Sequence, residues 1–430
     1  MKNKLSLTAC LLVGLVLALH RLAYPSGDAK LKVTTWDALG YYFYLPALFI
    51  YNDISELRWF PEIDRKYAVS GGTLYQANRQ EDGAGKYVGK YLGGVAIMQL
   101  PVFAAGHFIA KATGYPADGF SAPYQYAIAW GALLYCFLAL LLLRSVLLLY
   151  FSDGTTALTI ILLCLASNFI QYAAIDGGMS HAYIFALYAL ILWLTIKWHK
   201  HPAKITAAAI GYTIGLATIS RPTELIMFLI PLLWATHTKE GAARKWEMVR
   251  SHRAHVVIAF VFGALGILPQ LIYWKSVTGH FIYDVSSSWR FLTPFFRVLI
   301  GWEKGWFIYT PVTILFVAGL FFMKKYDFRK SVLWFCILNI YIIISWADWK
   351  YGGSYSTRAL VQSYPVFALP FAALLERIKQ YKWRPLVYLV AIYLIGVNIF
   401  QVWQYNKGII GDMTYRSYKA VYLDFTSFVK

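Results

Sequence analysis

The chain has 430 residues, of which 59% are hydrophobic, 18% aromatic and only 14% charged. Soluble domains carry about 25% charge, and several apolar runs here approach the ~20 residues that span a bilayer, as in 132–149 and 386–403. A soluble enzyme is excluded. The net charge of +19 does not point to nucleic acid either, because the basic residues bunch in short loops between apolar runs, where they set topology.

In chain order, Met1–Lys4 and the apolar run that follows resemble a signal peptide. No small-x-small cleavage site precedes His20-Arg21, so an uncleaved first helix is expected at 5–23. Further apolar segments fall near 89–110, 123–150, 154–174, 180–198, 205–219, 223–236, 256–274, 307–323, 331–347, 360–375 and 386–404. Cys10, Cys136, Cys164 and Cys336 all lie inside such runs, which predicts neither disulfides nor a CxxC-type metal site. No internal repeat is visible, which weighs against an inverted-repeat transporter.

The charge pattern selects among topologies. If 89–110 does not span, the N-terminus and the loops 197–204, 237–255, 324–330 and 376–385 share one side, with 18 of the 40 Lys and Arg. Counting 89–110 as a span throws the four later basic loops to the opposite side, against the positive-inside rule. This segment, with four glycines, a proline and a histidine, is therefore read as a helix at the outer interface. The expected fold is an all-α polytopic integral membrane protein of about eleven transmembrane helices, one membrane domain over residues 1–430. Its N-terminus is cytoplasmic, residues 24–122 form a long first outer loop with interfacial helices, and 405–430 form an outer tail. Only Asp153, Glu240, Glu247, Asp327 and Glu376, of 21 acids, fall on the cytoplasmic side, so carboxylate chemistry is expected on the outer face.

Outer polar groups near span ends are the candidate site. Asp37 opens an aromatic run; on a helix over 37–51 it shares a face with Gly40, Tyr41, Tyr44 and Leu48. It is read either as a reactive carboxylate or as an N-cap. Lys86 and Lys90, spaced i, i+4 beside glycines, can hold phosphate oxygens or merely snorkel. Asp176-Gly-Gly-Met-Ser-His181 pairs an acid with a histidine at an outer mouth, or is a turn capped by Ser180. Ser220-Arg-Pro-Thr-Glu224 joins two short segments, and Arg221 there needs Glu224 or an anionic ligand as partner. Glu303, Asp348 and Arg358 sit among outer tryptophans and glycines, in a setting that suits carbohydrate and phosphate. Walker, HExxH, GxSxG and zinc patterns are all missing from the sequence, so energy for a reaction has to come from an activated substrate.

The order and sidedness of Trp36-Asp37, Lys90-Tyr91, Asp176/His181, Arg221–Thr223, Gly305–Pro311 and Trp349-Lys-Tyr-Gly-Gly-Ser-Tyr before Arg358 resemble the GT-C superfamily of membrane glycosyltransferases. The similarity is greatest to the branch of protein O-mannosyltransferases and lipid A aminoarabinose transferases. It spans nearly the whole chain. Where many relatives carry a Pro pair after Lys-Tyr, this chain has Leu92-Gly93-Gly94, and Asp37 is followed by Ala38-Leu39 instead of a second acid, so no paired-acid metal site and no cofactor are expected.

The resemblance implies transfer of a sugar (hexose or pentose) from a polyprenyl-phosphate carrier to an acceptor hydroxyl of a lipid, glycan or protein, usually with inversion, at the outer face of the plasma (inner) membrane. Asp37 would be the base. Asp176 and His181 would lie near sugar or acceptor, with Arg221, Arg358 and Lys90 toward the carrier phosphate, Trp36, Tyr41 and Tyr44 shaping the pocket, and Lys86, Tyr91, Glu303 and Asp348 completing the substrate-binding set. Two rivals stand beside it. One is a lipid-linked sugar flippase or other transporter, disfavoured by few mid-span polar residues; the other is a membrane acyltransferase dependent on His181.

Overall fold

The computed structural model describes residues 3–23, 32–80 and 85–411. The outer tail expected at 405–430 lies, from residue 412, outside the described residues, as does 24–31 of the first outer loop. After α1 (Lys4–Ala23) come three short helices, α2 (Asp37–Tyr42), α3 (Tyr44–Phe49) and α4 (Phe60–Tyr67), and an antiparallel hairpin of β1 (Ala77–Arg79) and β2 (Tyr87–Gly89). Then follow α5 (Gly94–Ala112), α6 (Ala122–Leu147), α7 (Asp153–Leu165), α8 (Ser180–Lys200), α9 (Lys204–Thr218), α10 (Leu229–Leu233), α11 (Lys239–Ser251) and α12 (Arg253–Thr278). The rest comprises α13 (Arg297–Ile300), α14 (Trp306–Tyr309), α15 (Val312–Ala318), α16 (Arg329–Ile344), α17 (Tyr364–Ile378) and α18 (Arg384–Asn406).

Local chemistry explains several boundaries. Ser152 caps α7 by accepting from the Thr155 amide. Prolines stand in the first turn of α6, α17 and α18, where the missing N–H costs no intrahelical bond. The predicted helix over 37–51 is broken at Phe43 into α2 and α3.

Seven helices among the described residues are long and apolar enough to cross a membrane: Lys4–Ala23, Gly94–Ala112, Ala122–Leu147, Ser180–Lys200, Arg253–Thr278, Arg358–Ile378 and Arg384–Asn406. The chain is a multi-pass membrane protein. The count is below the expected eleven because other apolar segments are short or interrupted: α7 gives way to a π-helical turn at Gln171–Ile175, and 306–322 is broken into α14, α15 and a 3₁₀ turn. α5 is among the seven by length and composition. However, Gly94 at its start packs on Ser220 beside Arg221, and Gly106 near its end packs on Pro123 and Tyr124 at the start of α6, so both of its ends lie toward the end of the bundle that carries Arg221. The helix runs antiparallel beside α6, with Gly106 against Pro123 and Ala127, Gly131 against Val102, and the Tyr135 hydroxyl donating to the Met98 carbonyl at 2.7 Å.

The helix Arg358–Ile378 is 94% buried and forms the centre of the bundle with α8, whereas α12 is 17% buried. The outward side chains of α12 and α18 include Val257, Phe260, Leu389 and Ile392; a helix apolar on its outward face is suited to hydrocarbon.

The bundle has two polar ends. At one, Asp153 accepts from the Leu5 and Ser6 amides, Arg144 donates to Ser6, Glu376 accepts from Ser152, and the Ala235 amide donates to the Asp327 backbone carbonyl. The N-terminus and the basic loops grouped by charge therefore share one end. The opposite end carries Asp37, Asp176, Arg221 and Arg358.

Candidate functional site

Asp37 is the first residue of α2. Its carboxylate does not cap the helix; the preceding Trp36 occupies the cap position with no side-chain bond. Oδ1 accepts from the Tyr75 hydroxyl at 2.8 Å and the Tyr91 hydroxyl at 2.7 Å, and Oδ2 accepts from an Arg358 guanidinium nitrogen at 2.5 Å. The ion pair is mostly enclosed, with the side chains 19% and 12% exposed for Asp37 and Arg358. Burial pushes the carboxyl pKa up, but Arg358 and the hydrogen bonds from Tyr91 and Tyr75 outweigh it, and Asp37 is held below the ordinary carboxylate value.

Two glycines let these parts meet. A Cβ at Gly40 would come within 2.1 Å of the Tyr91 ring, so only glycine leaves the path by which Tyr91 reaches Asp37. A Cβ at Gly94 would lie 2.6 Å from the Ser220 amide nitrogen, and the Gly94 amide donates to Ile219 at 2.8 Å. That close approach sets the Lys90–Tyr91 segment beside the hairpin tip that carries Arg221. Trp36, Tyr351 and Ser356, near the two halves of the pair, adopt φ of 54°, 55° and 54°. Non-glycine residues held at positive φ cost of order 1–3 kcal/mol and concentrate at functional sites.

Beside the pair lies a cavity of about 330 Å³ whose lining includes Tyr41, Lys90, Tyr91, Arg221, Tyr351 and Gln362. The loop after α12 contributes Tyr283, Asp284 and Trp289, and an isolated antiparallel bridge joins Trp289 to Trp346. Among the described residues, Lys90 and Arg221 are the cations that line this space and Asp284 is the acid. Asp37 meets it through Tyr91, whose ring packs edge-on against Tyr41 at 4.8 Å.

Behind the cavity, Gln362 organises a buried polar chain. Its Nε2 donates to Glu224 and its Oε1 accepts from Arg221 at 3.3 Å and from His181 Nδ1 at 2.9 Å. Because Oε1 can only accept, His181 carries its proton on Nδ1. The Tyr188 hydroxyl donates to Glu224 as well. Glu224 is thus tied to Arg221 through Gln362, and the direct Arg–carboxylate pair expected as one alternative does not form. Asp176 accepts from Gln171 Nε2 at 3.0 Å, and burial pushes its carboxyl up.

Several expected roles change on this geometry. Arg358, expected toward the carrier phosphate, pairs with Asp37 through one guanidinium nitrogen and does not line the cavity. Lys86 and Lys90 do not form a pair: residues 87–89 are a strand, where four residues advance about 13 Å, against about 6 Å on a helix, and only Lys90 lines the cavity. Tyr44 is buried, with its hydroxyl on the Tyr91 carbonyl and its ring against Tyr273, so it supports the Lys90–Tyr91 segment from beneath. Trp36 is exposed, 6.5 Å from the Tyr75 ring. Glu303 is half-buried near Gly301, Asp348 is exposed, and neither lines the cavity. His181 is fully enclosed against Tyr172 and Gln362. Ser180 follows the cap residue Met179 and makes no cap bond. Tyr75 and Gln362 are additions: Tyr75 sits in an aperiodic loop 38 residues from Asp37, and Gln362 lies in a run that reads as a plain apolar span.

The chain superposes on an oligosaccharyltransferase of Archaeoglobus fulgidus in its apo form, with a TM-score of 0.50, 11% identity, and coverage of 97% of this chain and 55% of that one. It superposes equally on the archaeal oligosaccharyltransferase AglB from Archaeoglobus fulgidus in complex with an inhibitory peptide and a dolichol-phosphate, with a TM-score of 0.50, 12% identity, and coverage of 93% and 56%. The chain shares the overall fold of these oligosaccharyltransferases. This chain spans little more than half the length of either structure, and at such identities the likeness concerns architecture. No family model and no curated sequence matches the chain.

Proposed function

We propose that the protein is a GT-C-type glycosyltransferase that moves a sugar from a polyprenyl-phosphate carrier to an acceptor hydroxyl, at the bundle end that carries Asp37. The observation that carries this reading is one enclosed carboxylate, held by Arg358, Tyr75 and Tyr91, beside a cavity lined by Lys90 and Arg221. The GT-C-like fold, shared with a transferase solved with dolichol-phosphate, supports a lipid-linked donor. By the distribution of charge, this end faces outward from the plasma membrane.

A departing phosphate needs positive charge and no strong acid; Lys90 and Arg221 supply it, while Asp176 and His181 hold the wall behind. A carboxylate has about four lone-pair directions, and three are filled at Asp37, two on Oδ1 and one on Oδ2. The remaining one, on Oδ2, accepts from the acceptor hydroxyl. With its pKa held low, Asp37 takes the proton late, as oxocarbenium character develops and the hydroxyl acidifies. Arg358 keeps the carboxylate ionised and aimed.

The test is incubation of the purified protein with a panel of polyprenyl-phosphate sugars, followed by measurement of donor consumption. Consumption of one donor by the wild type and its loss in Asp37→Asn is expected. A folded Asp37→Asn protein with full transfer would remove the carboxylate from the mechanism, and inertness toward every donor would remove the function.

A further inference from the structure

The opposite end of the bundle holds a second built cavity that the transfer reading does not use. It measures about 350 Å³ and lies between α8, α11 and the loops after α6, α10 and α15. Lys200 and Arg244 stand at its rim, both exposed and neither in an ion pair among the described residues. Its interior presents acceptors. His199 Nδ1 donates to the Thr195 carbonyl at 2.7 Å, which leaves Nε2 as an acceptor, and that atom is buried without a partner. Asp327 Oδ1 is likewise a buried acceptor without a partner, and His237 Nδ1 is buried beside it without a partner as donor or acceptor. Lys245 is spent on the Pro231 and Leu232 carbonyls at the end of α10.

Unsatisfied buried acceptors cost of order 1–3 kcal/mol each, so they call for donors, while the two rim cations call for an anion. An apolar groove of about 680 Å³ adjoins this cavity, and His199 and Lys245 line both. It runs between α9, α12 and α10 over Ile214, Leu232, Phe260 and Ile267. One amphiphile matches all three surfaces: a phosphate for Lys200 and Arg244, hydroxyls for His199 and Asp327, and an alkyl chain for the groove.

We infer that this end binds a glycerophospholipid with an anionic, hydroxyl-bearing headgroup, of the phosphatidylglycerol type, from the adjoining leaflet. The charge distribution assigns that leaflet to the cytoplasmic side, where basic pockets between membrane helices take anionic headgroups. The site is independent of the transfer reaction at the other end, and each stands or falls alone.

Native mass spectrometry of the delipidated full chain tests it, with phosphatidylglycerol, phosphatidylcholine of equal chain length, and glycerol 3-phosphate as probes. One phosphatidylglycerol should be retained per chain, about tenfold more tightly than phosphatidylcholine. The double variant Lys200→Glu/Arg244→Glu, whose sites are exposed, should melt at the wild-type temperature and lose about tenfold or more of that affinity. Equal retention of the two lipids, or undiminished binding by the double variant, overturns the inference. Competition by glycerol 3-phosphate as effective as that of the lipid would show that the groove takes no part, and overturns it equally.

Discussion

Replacing Asp37 by Asn tests the ion pair and the chemistry together. The amide oxygen keeps the Tyr75 and Tyr91 hydrogen bonds, but Arg358 loses its counter-charge in a pocket where its side chain is 12% exposed. Removing one partner of a buried pair costs 3–5 kcal/mol; residual exposure puts this case at about 3 kcal/mol. Arg358→Gln should cost a similar amount, because it strands the carboxylate. The double variant strands no charge and should recover about 2 kcal/mol relative to the sum of the single losses. Equilibrium unfolding in detergent measures the cycle. Donor turnover measured on the same samples separates chemistry from stability: Asp37→Asn should lose roughly 10²–10⁴-fold in turnover, and the double variant, though more stable than the summed single losses predict, should stay inactive. Additive losses around the cycle, or recovery of turnover in the double variant, would refute the reasoning.

The pH dependence of stability follows from the same pair. Asp37 has a folded pKa below its ordinary 3.8, so its stabilising contribution is present above that value and is lost as the pH falls through the depressed folded value. Asp37→Asn should lack this part of the acid limb; parallel acid losses in wild type and variant would contradict it. Gly40→Ala drives a methyl into the Tyr91 ring and should cost about 1–3 kcal/mol by overpacking, with turnover falling further than in Tyr75→Phe, which deletes one of the three bonds to Asp37. Arg221→Ala should raise the donor KM about tenfold or more and leave the acceptor KM nearly unchanged, in steady-state assays that vary each substrate; equal effects would remove Arg221 from the phosphate.

Much of the architecture was legible from local physics. Apolar length located the long helices, though not α4, α11 or α13, and the bunching of Lys and Arg grouped the loops now found together at one end. The same parity placed Asp37, Arg221 and Arg358 at the other end, although no spacing rule could say which of them touch. Runs such as 154–174 and 307–323 read as continuous spans because apolarity averages over the bends that break them. Lys86 and Lys90 read as a pair because a short strand between glycines leaves no helix-or-strand signature over so few residues.

Sequence alone determined that this is a membrane bundle with its acids gathered at one end, because hydrophobic length and charge asymmetry are local quantities that a bilayer reads directly. Tertiary structure alone decided that Asp37 meets Arg358 across 321 residues, that Tyr75 and Tyr91 complete its shell, and that Gln362 ties Arg221 to Glu224. Those contacts depend on which helix faces which. Side-chain packing and close backbone approaches, as at Gly40 and Gly94, set that choice, and no periodicity in one segment records the identity of its neighbour.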